Sequence, residues 1–174
     1  MVAQALRTLL LLSTALLLSP YFTNAATETG KALITKTCNR TYYPTDCIKT
    51  LESDPQSSNA DLPTLVKICM QVSSSEVKKG YEEIRGWIGK APDYESWSMY
   101  RTCTDFYNES IANINVGLQF LDRKEYKDAF SKVVTVNEAI ISCNNFNREP
   151  ISRVNGAMIR LTNNTGTILS LRLF

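Results

Sequence analysis

Trp97, Tyr100, Thr104, Tyr107, Ile111, Ile114, Leu118 and Leu121 follow one another at steps of three and four without interruption. That spacing predicts one long helix of about seven turns carrying a single buried stripe. Such a rod is held by packing more than by intrinsic propensity, because nucleation is costly and only a covered apolar face repays it. Thr104 fits the stripe through its methyl group. The rest of the chain must therefore supply faces to cover this one, and Cys103 lies beside it.

Three further stretches have the same periodicity. A helix is predicted from Asp61, which can cap it, with Pro63 in the opening turn. Its stripe is Leu62, Leu65/Val66, Cys69 and Val72, and the next apolar residues, Val77, Tyr81, Ile84 and Ile88, fall out of phase. Ser73-Ser74-Ser75-Glu76 matches a capping box, so a kink or break is expected there. Gly89 reads as a left-handed stop before Pro92, and Asp93 as the cap of the axial helix. After a turn at Asp122-Arg123-Lys124, Tyr126, Phe130, Val133, Val136/Asn137, Ile140 and Cys143 mark another helix. A last one starts near Pro150 with Ile151, Val154, Met158, Leu161, Thr165, Ile168 and Leu171. Ahead of these, a weak helix over Thr27–Lys36 and a second from Pro44 to about Ser53 form an elbow, and 54–60 reads as a loop. The expected fold is all-α: an N-terminal helical hairpin over 26–59 and an up-down-up-down four-helix bundle over 60–174, since short connections make neighbours antiparallel.

The first residues set the compartment. Arg7, an apolar run from Leu9 to Leu18 and the small-residue site Thr23-Asn24-Ala25 read as a secretory signal peptide over 1–25. About ten apolar residues fall short of the ~20 that a spanning helix needs, so no membrane association is expected after cleavage. Secretion allows disulfides to persist, and the five cysteines, Cys38, Cys47, Cys69, Cys103 and Cys143, imply two bridges and one free thiol. Cys38 and Cys47 are near enough for a local bridge across the elbow. Arg123, in the predicted turn, is equidistant from Cys103 and Cys143, which places both roughly 30 Å from the hairpin tip on facing helices. This favours Cys103–Cys143 over a bridge to Cys69, although four cysteines permit three connectivities. Cys69, on a core stripe, behaves as a small apolar side chain. Three sequons, at Asn39, Asn108 and Asn163, would carry glycans where they are exposed.

The sequence also excludes chemistry. It contains no histidine, which removes Ser-His-Asp and Cys-His schemes and the commonest metal ligand. No Cys-x-x-Cys pair or phosphate-cradling glycine loop is present. Glu82 and Glu83 are adjacent on a helix and do not face each other, and the acidic stretch from Asp122 to Asp128 reads as a solvated turn. The net charge of +2 falls by one with the leader, and the basic residues are scattered; nothing argues for nucleic acid. No enzyme activity, cofactor or metal is expected. A binding protein is.

Thr37-Cys38, Thr41-Tyr42-Tyr43-Pro44-Thr45-Asp46-Cys47-Ile48-Lys49-Thr50-Leu51, Ser53-Asp54-Pro55 and Asp61-Leu62 resemble the opening of the plant invertase/pectin methylesterase inhibitor domain. Cys103-Thr104-Asp105-Phe106-Tyr107 and Ile140-Ile141-Ser142-Cys143 resemble its third- and fourth-cysteine segments, with Asn144 where an acidic residue is usual. Lys124-Glu125-Tyr126-Lys127-Asp128-Ala129 reads like the central turn of secreted, allergen-type members. The resemblance implies a four-helix bundle with an N-terminal hairpin and bridges Cys38–Cys47 and Cys103–Cys143. It further implies a monomeric protein of the cell wall, with the vacuole as alternative, that covers the cleft of pectin methylesterase or blocks an acid invertase in a 1:1 complex. In similar invertase inhibitors a Pro-Lys-Phe turn enters the enzyme's acidic cleft. The matching positions here are Lys124, Glu125 and Tyr126, and a carboxylate facing carboxylates would be repulsive by several kcal/mol. Pectin methylesterase is therefore the expected target and acid invertase the alternative. A non-inhibitory helical binding protein with a ligand in its core is a third reading, which bulky residues along the stripes disfavour.

Overall fold

The computed structural model describes residues 29–173; the leader expected over 1–25 and the Thr27 start of the first helix lie outside them. Six helices follow in order: α1 Gly30–Cys38, α2 Pro44–Glu52, α3 Leu62–Ile88, α4 Tyr94–Asp122, α5 Tyr126–Asn144 and α6 Ile151–Ser170. The segment read as a loop contains a 3₁₀ turn over Pro55–Asn59, opened by the Asp54 carboxylate accepting from the Gln56 N–H at 2.8 Å.

Helices α3 to α6 form an antiparallel bundle in which each packs against its chain neighbours and α6 returns to α3. The caps act where the sequence places them. Asp61 accepts from the Thr64 N–H at 2.9 Å and Asp93 from the Ser96 N–H at 2.7 Å, each satisfying one orphan donor of the first turn. The α4 stripe fills the centre through Tyr100, Tyr107, Ile114 and Leu121. Its first expected member does not: Trp97 lies one turn into the helix, beyond the cover of the other helices, and is 41% exposed.

The break expected at Ser73–Glu76 is absent, and α3 runs unbroken through 27 residues. Its buried stripe continues in phase as Cys69, Ser73, Val77, Gly80 and Ile84. Counting apolar residues alone misses the small members. Thr165 Oγ1 donates to the Leu161 carbonyl, so Ser73 donates to Thr165 Oγ1 at 2.9 Å and its hydroxyl is satisfied in the core. Gly80 gives way to the Tyr107 ring: a Cβ there would stand 2.5 Å from Tyr107 Cε1. Glu76 pairs with Lys79 instead of capping. Gly89 ends the helix at φ −74°, in the right-handed region, so the left-handed stop is also corrected.

The hairpin of α1 and α2 is seated on this chain's own bundle. Leu51 and both elbow cysteines are buried. The Asn164 amide of α6 bonds both backbone groups of Tyr43: its Nδ2 donates to the carbonyl at 2.8 Å and its Oδ1 accepts from the N–H at 3.1 Å. Arg160 Nε donates to Asp46 Oδ2 at 2.8 Å beside it. Gly30 opens α1 at φ +64°, with a would-be Cβ 2.2 Å from the Ser58 carbonyl oxygen, so only glycine fits.

Candidate functional site

Cys38 pairs with Cys47 and Cys103 with Cys143, at Cα separations of 5.5 and 5.1 Å, and Cys69 is the buried free thiol. The second bridge ties α4 to α5 far from the turn that joins them. Behind it, Tyr107 Oη donates to Asn155 Oδ1 at 2.8 Å, and Asn155 Nδ2 points to Cys143 Sγ at 3.1 Å. Burial pushes the Tyr107 phenol far above its ordinary range, so it stays a neutral donor. The bulky residues and these bonded polar groups fill the stripes, which argues against a ligand chamber in the core.

The turn between α4 and α5 brings Lys124, Glu125 and Tyr126 together at one end of the bundle. Lys124 is at φ +61°, so the chain reverses there within three residues, and its exposed ammonium makes no ion pair among the described residues. Glu125 is engaged: Arg123 Nη2 and Nε approach its Oε2 at 2.9 and 3.0 Å. That bond holds the Arg123 guanidinium above its ordinary range. The guanidinium also lies 4.9 Å from the Phe120 ring centre, a cation–π distance. Tyr126 is half-buried, with Arg172 5.0 Å from its ring centre. Lys67 of α3 closes on Asp122 at 2.7 Å. The carboxylates at the base of the tip are thus paired, and the tip presents an ammonium beside a clamped ring.

The sequence reading places Arg123 in this turn but not its pairing with Glu125, and it did not identify Arg172 and Lys67 as parts of the tip. Arg123 and Glu125 are two apart, a spacing that does not meet on a helix; the positive φ at Lys124 is what lets them meet. Lys67 comes from α3 and Arg172 from the turn that follows α6. The two carboxylates Glu82 and Glu83 point to different partners, Arg85 and Arg153.

The sequons differ in setting. Asn39 caps the C-terminal end of α1 in an exposed turn outside any helix, with Thr41 buried and its hydroxyl donating to the Cys38 carbonyl at 2.8 Å. Asn108 is exposed but inside α4, with Ser110 buried, and Asn163 is half-buried inside α6, with Thr165 buried.

No helix among the described residues is long and apolar enough to cross a membrane. By structure, the fold is similar to a mutant form A of a pectin methylesterase inhibitor from Arabidopsis (TM-score 0.71, 19% identity, 79% of this chain and 95% of that one). A second pectin methylesterase inhibitor structure from Arabidopsis thaliana matches at TM-score 0.61 and 17% identity over 81% and 96%. In sequence, the chain is 28% identical over 116 residues to a pectinesterase inhibitor of Actinidia deliciosa, covering 67% of this chain and 63% of that protein. It is 26% identical over 120 residues to pectinesterase inhibitor 2 of Arabidopsis thaliana, covering 69% and 67%. The chain thus spans somewhat under two thirds of the length of the Actinidia deliciosa relative. The family model for plant invertase/pectin methylesterase inhibitors matches residues 32–169, from the first helix to the last, and the chain belongs to that family.

Proposed function

We propose that this protein is a secreted inhibitor that binds a plant pectin methylesterase one to one and covers its substrate cleft, acting as a monomer in the cell wall. The observation that carries the reading is the family match over 32–169 together with two relatives that are both pectinesterase inhibitors. The hairpin seated on its own bundle is consistent with a monomer, and two buried disulfides suit an oxidising compartment. Purified protein without its leader is titrated into a plant pectin methylesterase and, separately, an acid invertase. Saturable loss of esterase activity is expected; unchanged activity of both enzymes at micromolar inhibitor rejects the reading.

A second reading, inhibition of an acid invertase of wall or vacuole, is favoured by one observation. With Glu125 held by Arg123, the carboxylate expected to repel an acidic cleft is paired, and Lys124 supplies a cation one position earlier. Lys124→Glu separates the two: it should abolish invertase inhibition and leave esterase inhibition within about twofold, since a rim charge changes affinity little.

A further inference from the structure

Both tryptophans of the chain, Trp87 and Trp97, lie at the end of the bundle opposite the Lys124 tip. Trp87 is half-buried against Tyr100. Trp97 is different: it stacks on Tyr94, which is itself 78% exposed, with ring centres 5.6 Å apart and planes 24° from parallel. Stacked on Trp97, the Tyr94 ring keeps its outer face open to water as an aromatic ledge. Beside Tyr94 an open trough of about 290 Å³ runs over the buried Met99, with Phe146, 41% exposed, as its other wall. Ser98 and Thr102 line it from α4. Across its rim Arg148 Nη2 bonds Glu95 Oε1 at 2.8 Å, so the lining carries one cation and one anion and no net charge.

We propose that this ledge and trough bind an uncharged chain of pyranose sugars. A pyranose ring has an apolar C–H face and a girdle of hydroxyls. Aromatic faces present the negative side of their quadrupole to C–H groups, while a carboxylate and a guanidinium present paired acceptors and donors to neighbouring hydroxyls. The neutrality of the lining selects against a sugar acid, whose carboxylate would have to displace Glu95 from Arg148. The trough, at about 290 Å³, falls just below the range of drug-sized ligand sites, which run from about 300 Å³ upward, as suits an open surface groove. A protein partner fits less well. The exposed parts of the three rings come to roughly 300–400 Å², at most half of the ~800 Å² per partner that a stable complex buries. The inference does not depend on the inhibitor reading.

The test uses the full chain without its leader and follows tryptophan fluorescence and titration heat. Cellohexaose and a fully methyl-esterified oligogalacturonide are the two uncharged probes; which of them binds identifies the source, a glucan or an esterified pectin. A de-esterified oligogalacturonide is the charged control. Saturable binding of an uncharged probe is expected in the range of about 0.1–5 mM, unchanged in about 0.5 M salt. Trp97→Ala and, independently, Tyr94→Ala should each weaken it at least about fivefold. Both positions are on the surface, and far-ultraviolet circular dichroism checks that each variant keeps its helices. The proposal is overturned by no saturable signal from either uncharged probe up to about 20 mM, or by preferential, salt-sensitive binding of the charged one. It is equally overturned if both variants weaken inhibition of the target enzyme while no sugar binds, which would make the ledge a protein contact.

Discussion

Replacing Gly80 by alanine should destabilise the bundle, whereas the same change six residues along the same helix, Gly86→Ala, should stabilise it. Both glycines are helical, Gly80 within α3 and Gly86 in its last turn, so alanine gains about 0.8–1 kcal/mol of helix propensity at the first and most of that at the second. Around Gly86 nothing lies within 4 Å of the new methyl, and the gain is realised. At Gly80 the methyl meets Tyr107 Cε1 at 2.5 Å. The ring cannot swing away cheaply, because Tyr107 is fully buried and its hydroxyl is spent on Asn155, which leans on Cys143. Overpacking of that kind costs about 1–3 kcal/mol, and stretching the buried hydrogen bond adds roughly 1–2. Net, Gly80→Ala loses about 1–4 kcal/mol and the two variants differ by about 2–5. Urea unfolding with both disulfides intact reads this directly. With a slope of about 1–3 kcal/mol/M, the midpoints should separate by about 1 M or more. Gly80→Ala/Tyr107→Leu should lose less than the two single changes summed, since it removes the obstacle. A Gly80→Ala midpoint equal to or above that of Gly86→Ala would refute the claim that this glycine is read out as space.

Burial pushes the Cys69 thiol up to about 12 from 9.0, so at pH 8 the native protein should resist iodoacetamide for hours while the urea-unfolded, non-reduced protein gains one adduct by mass. The folded pKa is the raised one, so stability from the buried neutral thiol is full below about pH 9 and is lost as pH climbs towards 12; denaturant midpoints that stay flat across that window count against it. Asp61 is depressed, chiefly by its bond from the Thr64 hydroxyl, and Asp93 by its bond from the Ser96 N–H. Their capping contribution is therefore present above the ordinary aspartate range and lost as pH falls through the lowered folded values. Asp61→Ala should cost about 1 kcal/mol at neutral pH and flatten the acid limb of the stability curve. Expressed through a eukaryotic secretory pathway, the chain should carry its main glycan on Asn39; Asn39→Gln should abolish most of the glycosidase-sensitive mass, and an unchanged glycoform pattern would contradict that.

The bundle was legible because its information is periodic. Tyr100, Tyr107, Ile114 and Leu121 announce their face by spacing alone, and Arg123 midway between two cysteines locates a hairpin. What escaped was information carried by absence or by contact. Ser73 and Gly80 belong to the α3 stripe because they are small, and a count of apolar side chains reads their smallness as a gap. Trp97 satisfies the spacing but lies one turn past the point where neighbouring helices cover it, which depends on where those helices end. At the tip, the order Lys124-Glu125-Tyr126 is visible and Glu125 reads as a carboxylate that would repel an acidic cleft; its pairing with Arg123 depends on the positive φ at Lys124, which the order of residues does not announce. The ledge at the far end was invisible for a related reason: Tyr94, at the start of α4, and Phe146, in the turn after α5, meet at one trough only once the two helices have paired.

The fork from Asn164 onto Tyr43 joins positions 121 apart in the chain. Synthesis runs from the amino end, so the elbow leaves the ribosome with no docking place yet made. Its own bridge, nine residues across, can form at once, but the surface it rests on is shared by α3 and α6 and is complete only when α6 arrives. The elbow, made before the bundle, is therefore the last to be fully seated, and a chain stopped short of Asn164 would carry a finished elbow with the fork that holds Tyr43 missing.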